Sequence, residues 1–253
     1  MKIKNGISAL LFILISFFGS LCCADVLIVA DEFPAMEAIA TFIKSNANIN
    51  CKIVSQSQFP NDCKTYDAIM VYIHRNLDEK VEKALIDYTL NGGKLIVLHH
   101  SISSGKRKNR YWFDFLGVSL PEGDVEKGGY KWIEGVQFEV VNLDSNHFIT
   151  SNKIIYPDKI LFNYNGDVKT LPSFDLDETE VYLNHKLTPD NKLLLGFKYV
   201  DKKSGKTYMQ THCGWTKKAG KGIIIYLMPG HSVKEFQNSY YSQIVLNAVL
   251  YKP

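Results

Sequence analysis

The stretch GGKLIVLHH at residues 92–100 decides the expected fold. Its four apolar residues, 95–98, follow a pair of glycines and run directly into two histidines. A short unbroken apolar run of this kind is typical of a strand that is buried on both faces, as in a parallel sheet with helices on each side. Similar runs at residues 26–30, 68–73 and 223–228 predict three more strands of the same type.

Helical patterns separate these strands. Residues 35–44 carry apolar side chains at helical spacing, and residues 81–90 do the same between Asp78, the expected N-cap, and a stop at Gly92-Gly93. This order predicts an α/β fold with a doubly wound, mostly parallel sheet flanked by helices, of the flavodoxin-like type. A last amphipathic helix is expected at residues 236–249.

The pattern changes after residue 100. Between residues 130 and 212, polar and apolar residues alternate in several short segments, which predicts half-exposed antiparallel strands. Because the chain then returns to a buried strand at Gly222, we interpret residues 101–215 as an antiparallel β insertion over the strand ends, within one domain that spans residues 25–253. The basic cluster at residues 106–110 is expected to be a solvated loop.

Residues 1–24 have the pattern of a secretory signal peptide. Two lysines precede an apolar segment, residues 7–21, which is too short to span a bilayer, and Cys22-Cys23-Ala24 offers small residues for cleavage before Asp25. We therefore expect export to the periplasm or cell envelope, with no transmembrane segment after signal removal. A lipid anchor on Cys22 or Cys23 is the alternative.

Charge and cysteine content limit the partners. Residues 1–24 hold two lysines and no acid, so the formal net charge falls from +3 to +1 without them. A near-neutral chain gives no electrostatic reason to expect nucleic acid or a membrane surface as a partner.

Three cysteines remain after residue 24, and a Cys51–Cys63 bridge would be compatible with export, although spacing alone does not establish it.

Polar residues follow the predicted strands: Asp31 after the first, then His74, His99-His100 and His231. Ligands of such sheets bind outside the carboxyl ends of the strands, so these residues are candidates for one site. Imidazole titrates near neutrality, which makes His99, His100 and His231 candidate general acids or bases. A structural role remains open for one of the His99-His100 pair, and His74 fits a solvated loop equally well.

A nucleophile and a metal are weaker interpretations of the same region. Ser101 follows the histidine pair, but no Gly-x-Ser-x-Gly motif surrounds it. No His-Glu-x-x-His spacing is present either, so a metal site would have to be assembled from distant segments. We therefore expect no metal and no cofactor, with a metal-dependent hydrolase kept as an alternative.

The predicted insertion adds further candidates. Glu180 and Tyr182 alternate with an apolar residue, so they face one way and present a carboxylate and a phenol together. Trp215 fits either a stacking platform for a sugar ring or the buried core. His147 lies in a predicted turn and joins the site only if that turn folds back over the strand ends.

In this order, the segments resemble the ThuA-like (trehalose utilisation) family, whose fold is that of the class I glutamine amidotransferases. The resemblance is carried by residues 26–29, 92–99, 146–150, 180–182, and 215–231. It implies a site formed by the matching positions His99, His147, Glu180, Tyr182, Trp215 and His231. It also implies that the amidotransferase cysteine is absent, because its position falls at about His99 or His100.

The chain departs from the family pattern at three places. Phe148 stands where the family has proline, Ile223 stands where arginine is common, and residues 31–34 replace a glycine-rich loop that contains histidine. The last change alters the ligand-facing loop after the first strand. It therefore bears on which substrate is bound.

The expected function is sugar processing by an exported isomerase, lyase or hydrolase that acts on a glycoside or a keto-sugar. His99, His100 and His231 would supply acid/base catalysis with Glu180 as carboxylate partner, and Asp31, His147, Tyr182 and Trp215 would bind a small carbohydrate. A retaining glycosidase is disfavoured because it needs two paired carboxylates. The alternative from another class is a non-catalytic carbohydrate-binding protein of the cell envelope.

Overall fold

A computed structural model describes residues 25–164 and 166–253, so the predicted signal peptide lies outside the described residues. The strands are β1 (Asp25–Ala30), β2 (Asn50–Val54), β3 (Ala68–Tyr72), β4 (Lys94–Leu98), β5 (Val118–Ser119), β6 (Lys131–Asn142), β7 (Asp158–Tyr164), β8 (Asp167–Leu183), β9 (Lys186–Leu187), β10 (Lys192–Val200), β11 (Thr207–Ala219) and β12 (Gly222–Leu227). The helices are α1 (Phe33–Ala47), α2 (Glu79–Leu90), α3 (Trp112–Leu116), α4 (Phe148–Ser151), α5 (Val233–Gln237) and α6 (Ser239–Leu250).

Ten of these strands form one sheet in the order β2-β1-β3-β4-β12-β11-β10-β6-β8-β7. The first five pair in parallel, and their side chains are almost fully buried in β1, β3, β4 and β12. Helix α1 carries the chain from β1 toward one edge, whereas α2 carries it from β3 toward the other. Right-handed crossovers therefore place these two helices on opposite faces. The predicted doubly wound α/β fold is confirmed.

The antiparallel strands extend the same sheet sideways. Strand β11 pairs with β12 from Ala219 back to Gly214, which stands opposite Leu227 at the carboxyl end of β12. The earlier residues of β11, 207–213, therefore project past that end, and they pair onward through β10 to β6 and β8. The predicted antiparallel strands are thus present, and their projecting ends rise above the carboxyl edge of the parallel strands.

The segment at the carboxyl end of the chain forms two helices where one was expected. Helix α5 ends before Asn238, whose side-chain oxygen accepts hydrogen bonds from the backbone N–H groups of Tyr240 and Tyr241 and so caps α6. Among the predicted apolar positions, Phe236 and Ile244 are buried, and both helices lie against α1. Helix α5 brings Glu235 back toward the strand ends.

Lys106 corrects the expectation that residues 106–110 form a solvated loop. Its side chain is fully buried, and its ammonium group donates hydrogen bonds to the carbonyl oxygens of Ile73 (2.6 Å), His74 (2.9 Å) and His100 (2.9 Å). These carbonyls close the loops that follow β3 and β4. Lys106 thus links the loops at the ends of β3 and β4, a contact that the sequence did not predict.

The possible Cys51–Cys63 bridge is absent from the structure, where Cys51, Cys63 and Cys213 are free thiols. Among the described residues, no helix is both long and apolar enough to cross a membrane.

Replacing Lys106 with methionine is expected to lower the free energy of unfolding by about 3 kcal/mol. The substitution keeps much of the apolar stem but leaves three buried carbonyls unpaired, and a lost partner of a buried polar group costs about 1–3 kcal/mol. Denaturant unfolding of Lys106→Met and of the matched exposed control Lys108→Met checks this. Equal unfolding midpoints for the two variants would contradict the role given to Lys106.

Candidate active site at the carboxyl ends of the strands

The carboxylate of Glu180 is the centre of a polar cluster. Its Oε2 atom lies 2.9 Å from Nε2 of His99, 3.6 Å from Nε2 of His100 and 3.4 Å from Nδ1 of His231. Glu180 comes from β8, and the histidines follow β4 and β12. The structure therefore brings together the four residues predicted to be catalytic.

His99 is fixed by both nitrogens of its ring. Nδ1 contacts the carbonyl oxygen of Met228, which leaves Nε2 directed at Glu180. The ring also stacks on Tyr182 at 5.0 Å between centroids. Its backbone has a φ of 39°, a left-handed conformation that is costly for a residue with a side chain and that clusters at functional sites.

His231 is held through its backbone by Glu235. That carboxylate accepts hydrogen bonds from the backbone N–H groups of Gly230 (2.6 Å) and His231 (2.8 Å) and is itself buried. Gly230 has a φ of 128°, and a Cβ there would stand 2.8 Å from the ring of Phe236. The loop therefore needs glycine before the histidine, and Glu235 sets where the imidazole points.

His100 and His74 form a stacked pair beside the cluster. Their ring centroids are 4.3 Å apart, with an angle of 10° between the planes. His100 is 4% exposed, whereas more than half of the His74 side chain is exposed. Nδ1 of His100 is buried and has no hydrogen-bond partner among the described residues.

The surroundings shift the pKa values of the cluster residues in different directions. Burial raises the pKa of Glu180, but hydrogen bonding to His231 and His99 outweighs it and holds that pKa well below its usual range. The Glu180 carboxylate raises the pKa of His231. Burial, together with the neighbouring histidines, lowers the pKa of His100 to about 2. An ionised carboxylate thus faces one imidazole biased toward its charged form and one held neutral.

The cluster opens into a cleft of about 410 Å³. Trp132 stands opposite Tyr182 in the β6–β8 pairing, and Glu134 stands opposite Glu180, so all four side chains share one face of the sheet. A second cleft, of about 540 Å³, adjoins the first and shares Ser104, Tyr130 and Trp132 with it. The two clefts together form a groove that runs outward from the cluster.

Asp31 and Ser101 have backbone partners instead of a place in this groove. The Asp31 carboxylate accepts hydrogen bonds from the backbone N–H groups of His74 and Arg75, at 2.8 to 3.1 Å. The Ser101 hydroxyl donates to the carbonyl of Val71 and accepts from the N–H of Ile73. Both residues fix the loop after β3, and neither is directed at the cluster.

Trp215 is a correction to the expected sugar platform. Its side chain is completely buried in β11 and stacks on Tyr226 at 5.3 Å, so no face of the ring is free for a ligand. Among the large aromatic residues of the groove, Trp132 is 50% exposed. The sequence supported both interpretations of Trp215, and the structure selects the core.

His147 is also a correction, because it lies at the other end of the sheet. Its ring contacts Tyr251 at 4.9 Å, just after α6. The neighbouring Val249 carbonyl accepts a hydrogen bond from Lys94, the first residue of β4, whereas His99 follows the last residue of that strand. Five strand residues span roughly 17 Å, which separates His147 from the cluster. Nδ1 of His147 instead caps α4.

Sequence reasoning missed Tyr130, Trp132 and Glu134, and it left His74 open between the site and a solvated loop. The alternation of Trp132 and Glu134 was a usable signal, because it matches that of Glu180 and Tyr182. No signal showed that the two segments pair with these residues in register.

The fold and the cluster define an α/β protein with a polar site at the carboxyl edge of its parallel strands. A family model described as ThuA, trehalose utilisation, matches residues 28–252. The chain therefore belongs to the ThuA family. No functionally curated protein matches the sequence.

Three solved structures share the fold. A putative ThuA-like protein from Parabacteroides merdae has a TM-score of 0.65 and 14% identity, covering 90% of this chain and 88% of its own. One from Bacteroides uniformis has a TM-score of 0.59 and 19% identity, covering 89% of each. A β-galactosidase from Bacillus circulans has a TM-score of 0.54 and 10% identity, over 89% of this chain but 30% of its own. At these identities, the likeness concerns the fold alone.

We expect Glu180→Gln to lower the pKa of His231 in protein that has been treated with a chelator. The carboxylate raises this pKa while burial opposes it, so the neutral amide leaves burial dominant. NMR titration of the imidazole signals measures the change. Glu178→Gln is the matched control, because Glu178 is an exposed acid two residues away on the same strand that pairs with Lys234. An unchanged His231 titration in Glu180→Gln would contradict the proposed contact.

Proposed function

We propose that this protein is a sugar-processing enzyme whose catalytic centre is the cluster of His99, His100, Glu180 and His231. One observation carries the proposal: a buried carboxylate is shared by three imidazoles at the inner end of a groove. Burying a charge is costly unless it is paired, and ion pairs that perturb several titratable groups in a cleft are characteristic of functional sites.

Proton transfer next to a sugar carbonyl is the chemistry that fits these groups best. Nδ1 of His231 is buried and faces the Glu180 carboxylate, whereas 29% of the side chain as a whole is exposed, which leaves Nε2 as the ring nitrogen available to a substrate. In the neutral form of His231, Nε2 would take a proton from the hydroxyl-bearing carbon beside a keto group, the electron pair of that C–H bond would form a C=C bond, and the carbonyl π pair would move to the carbonyl oxygen, while Glu180 stabilises the imidazolium that results. Transfer of the hydroxyl proton to the former carbonyl oxygen and return of the abstracted proton to the former carbonyl carbon complete an isomerisation, which consumes no oxidant or second substrate.

Trp132 and Tyr130 are the residues we propose for sugar binding in the groove. Trp132 offers an exposed aromatic face at the junction of the two clefts. Tyr130 lines both clefts, and its buried hydroxyl has no hydrogen-bond partner among the described residues. An aromatic face with nearby polar groups suits a ring that is apolar on its faces and polar at its edge.

The family supports a carbohydrate as the substrate class, because its description is trehalose utilisation. A keto-sugar or a glycoside is the proposed small-molecule partner.

Hydrolysis is a second candidate reaction, favoured by a specific feature that the sequence did not reveal. Glu134 faces Glu180 across adjacent strands and so supplies a second carboxylate.

We also propose that the protein is exported to the periplasm or cell envelope. The support is the sequence of residues 1–24, with its basic start, its apolar segment and its small residues before Asp25. A lipid anchor on Cys22 or Cys23 is the variant of this proposal that would keep the protein at a membrane surface.

Purified protein spanning residues 25–253 is expected to convert at least one member of a panel of keto-sugars and disaccharides. Substitutions His231→Asn and Glu180→Gln should lower kcat by about 100-fold or more, because loss of a positioned acid or base costs about 10²–10⁴ in rate. Glu178→Gln is the control with full activity. Product analysis separates the reactions, since isomerisation preserves the number of sugar units and hydrolysis increases it.

Two outcomes would contradict catalysis. The first is binding of a sugar without conversion, with an affinity that His231→Asn leaves intact, which would identify a carbohydrate-binding protein. The second is the absence of both binding and conversion across the whole panel.

Replacing Trp132 with alanine should weaken sugar binding about three- to tenfold, because aromatic contacts of this kind contribute about 0.5–1.5 kcal/mol beyond buried area. Calorimetric titration with the sugar identified above provides the measurement. Tyr111→Ala is the matched control, since Tyr111 is a 43% exposed aromatic residue outside the groove. Equal affinities of the two variants would remove Trp132 from the binding site.

A further inference from the structure

The donor atoms of the cluster have the spacing of metal ligands. Each of His99, His100, Glu180 and His231 offers one nitrogen or oxygen, and these atoms all lie within 4.8 Å of one another. A tetrahedral ion with bonds of about 2.0–2.2 Å holds its ligand atoms about 3.3–3.6 Å apart. The distances from Glu180 to His99 and His100, 2.9 and 3.6 Å, bracket that separation.

The supports behind these residues are those of a preformed metal site. The Met228 carbonyl contacts Nδ1 of His99 and so fixes the ring with Nε2 pointing inward, as such contacts do for histidine ligands. His100 is fixed through its backbone by Lys106 and through its ring by His74. Neither imidazole has room to turn away from Glu180, since both are almost fully buried.

The lack of hydrogen bonds at His100 gives a second indication. Its Nε2 stands 3.6 Å from Glu180, beyond hydrogen-bond distance, and its Nδ1 is buried without a partner among the described residues. Buried polar groups are nearly always satisfied, and a bound ion is one of the standard reasons for an exception. An ion held by Nε2 would give this ring a partner that the protein does not provide, while Nδ1 would stay unpaired.

We propose that His99, His100 and Glu180 bind one divalent transition-metal ion, with an open coordination position beside His231. Three protein ligands with a free position are the usual arrangement of a catalytic zinc site. These three residues have almost no exposed side chain, whereas 29% of the His231 side chain is exposed. His231 then stands next to the bound substrate or water and keeps its role in proton transfer.

The donor set also limits the kind of ion. Two imidazoles and one carboxylate suit zinc and its first-row neighbours, whereas calcium and magnesium prefer oxygen ligands. An ion at this position faces the groove, where it would polarise a sugar carbonyl or hydroxyl and make the neighbouring proton more acidic. Only this catalytic consequence rests on the proposed function, because metal binding stands on the geometry of the three ligands.

Zinc binding to the chelator-treated protein tests the proposal. We expect one zinc ion per chain in calorimetry and elemental analysis. His100→Gln and Glu180→Gln should weaken binding by at least about 100-fold, since changes even beyond the direct ligands cost about 10–100-fold. His231→Gln should retain the ion, as should His147→Gln, the control at the other end of the sheet.

NMR of the unaltered protein keeps the test valid if a variant fails to fold. Stoichiometric zinc should shift the ring signals of His99 and His100 and leave those of His147 unchanged. The proposal is overturned if zinc does not bind or if it shifts the ring signals of neither His99 nor His100. It is also overturned if His231→Gln loses zinc as fully as His100→Gln.

The two proposals fail in different ways. Conversion of a sugar by protein that is shown to be free of metal, and that binds no zinc, would overturn the metal site and leave the enzyme. Stoichiometric zinc binding without any sugar bound or converted would support the metal site and overturn the enzyme.

Discussion

The buried carboxylate of Glu180 is the constraint on which the rest of the site depends. An ionised carboxylate away from water is costly unless opposite charges or hydrogen-bond donors compensate it. Its nearest partners, His99 and His231, follow β4 and β12, whereas Glu180 itself lies on β8, which is separated from β12 by three strands of the sheet. The contact therefore joins the projecting end of the antiparallel half to the carboxyl edge of the parallel half.

Three buried polar side chains hold the loops that carry the imidazoles. Lys106 donates to carbonyls after β3 and after β4, and the Ser101 hydroxyl donates to the carbonyl of Val71 in β3. Glu235 accepts from the backbone N–H groups of Gly230 and His231. Each side chain is the hydrogen-bond partner of backbone groups that would otherwise have none at the end of a strand. The site is thus positioned by side chains that do not line the groove.

Local pattern was enough to predict the parallel strands and their histidines, because burial on both faces demands an unbroken apolar run. It was enough for Glu180 and Tyr182 as well, since strand periodicity alone places them on one face. Pattern could not place Lys106, because burial of its ammonium group depends on three carbonyls from distant loops. Nor could it show that Trp215 is buried while Trp132 is half-exposed, since both lie on strands of alternating pattern and the difference arises from packing, which includes the stacking of Trp215 on Tyr226.

The pairing of β6 with β8 explains why the cleft wall and the cluster form together. The pairs Trp132–Tyr182 and Glu134–Glu180 are in direct register, and a register shift occurs between Glu134 and Val136, where Gly135 has a φ of 65°. Because side chains alternate with a period of two, a slip of one residue in either strand would turn its two side chains to the opposite face of the sheet. The irregularity at Gly135 lets the projecting part of β6 keep its own register while the remainder follows the sheet. Glu180 of the cluster and Trp132 of the groove therefore share one face only because these two strands keep this register.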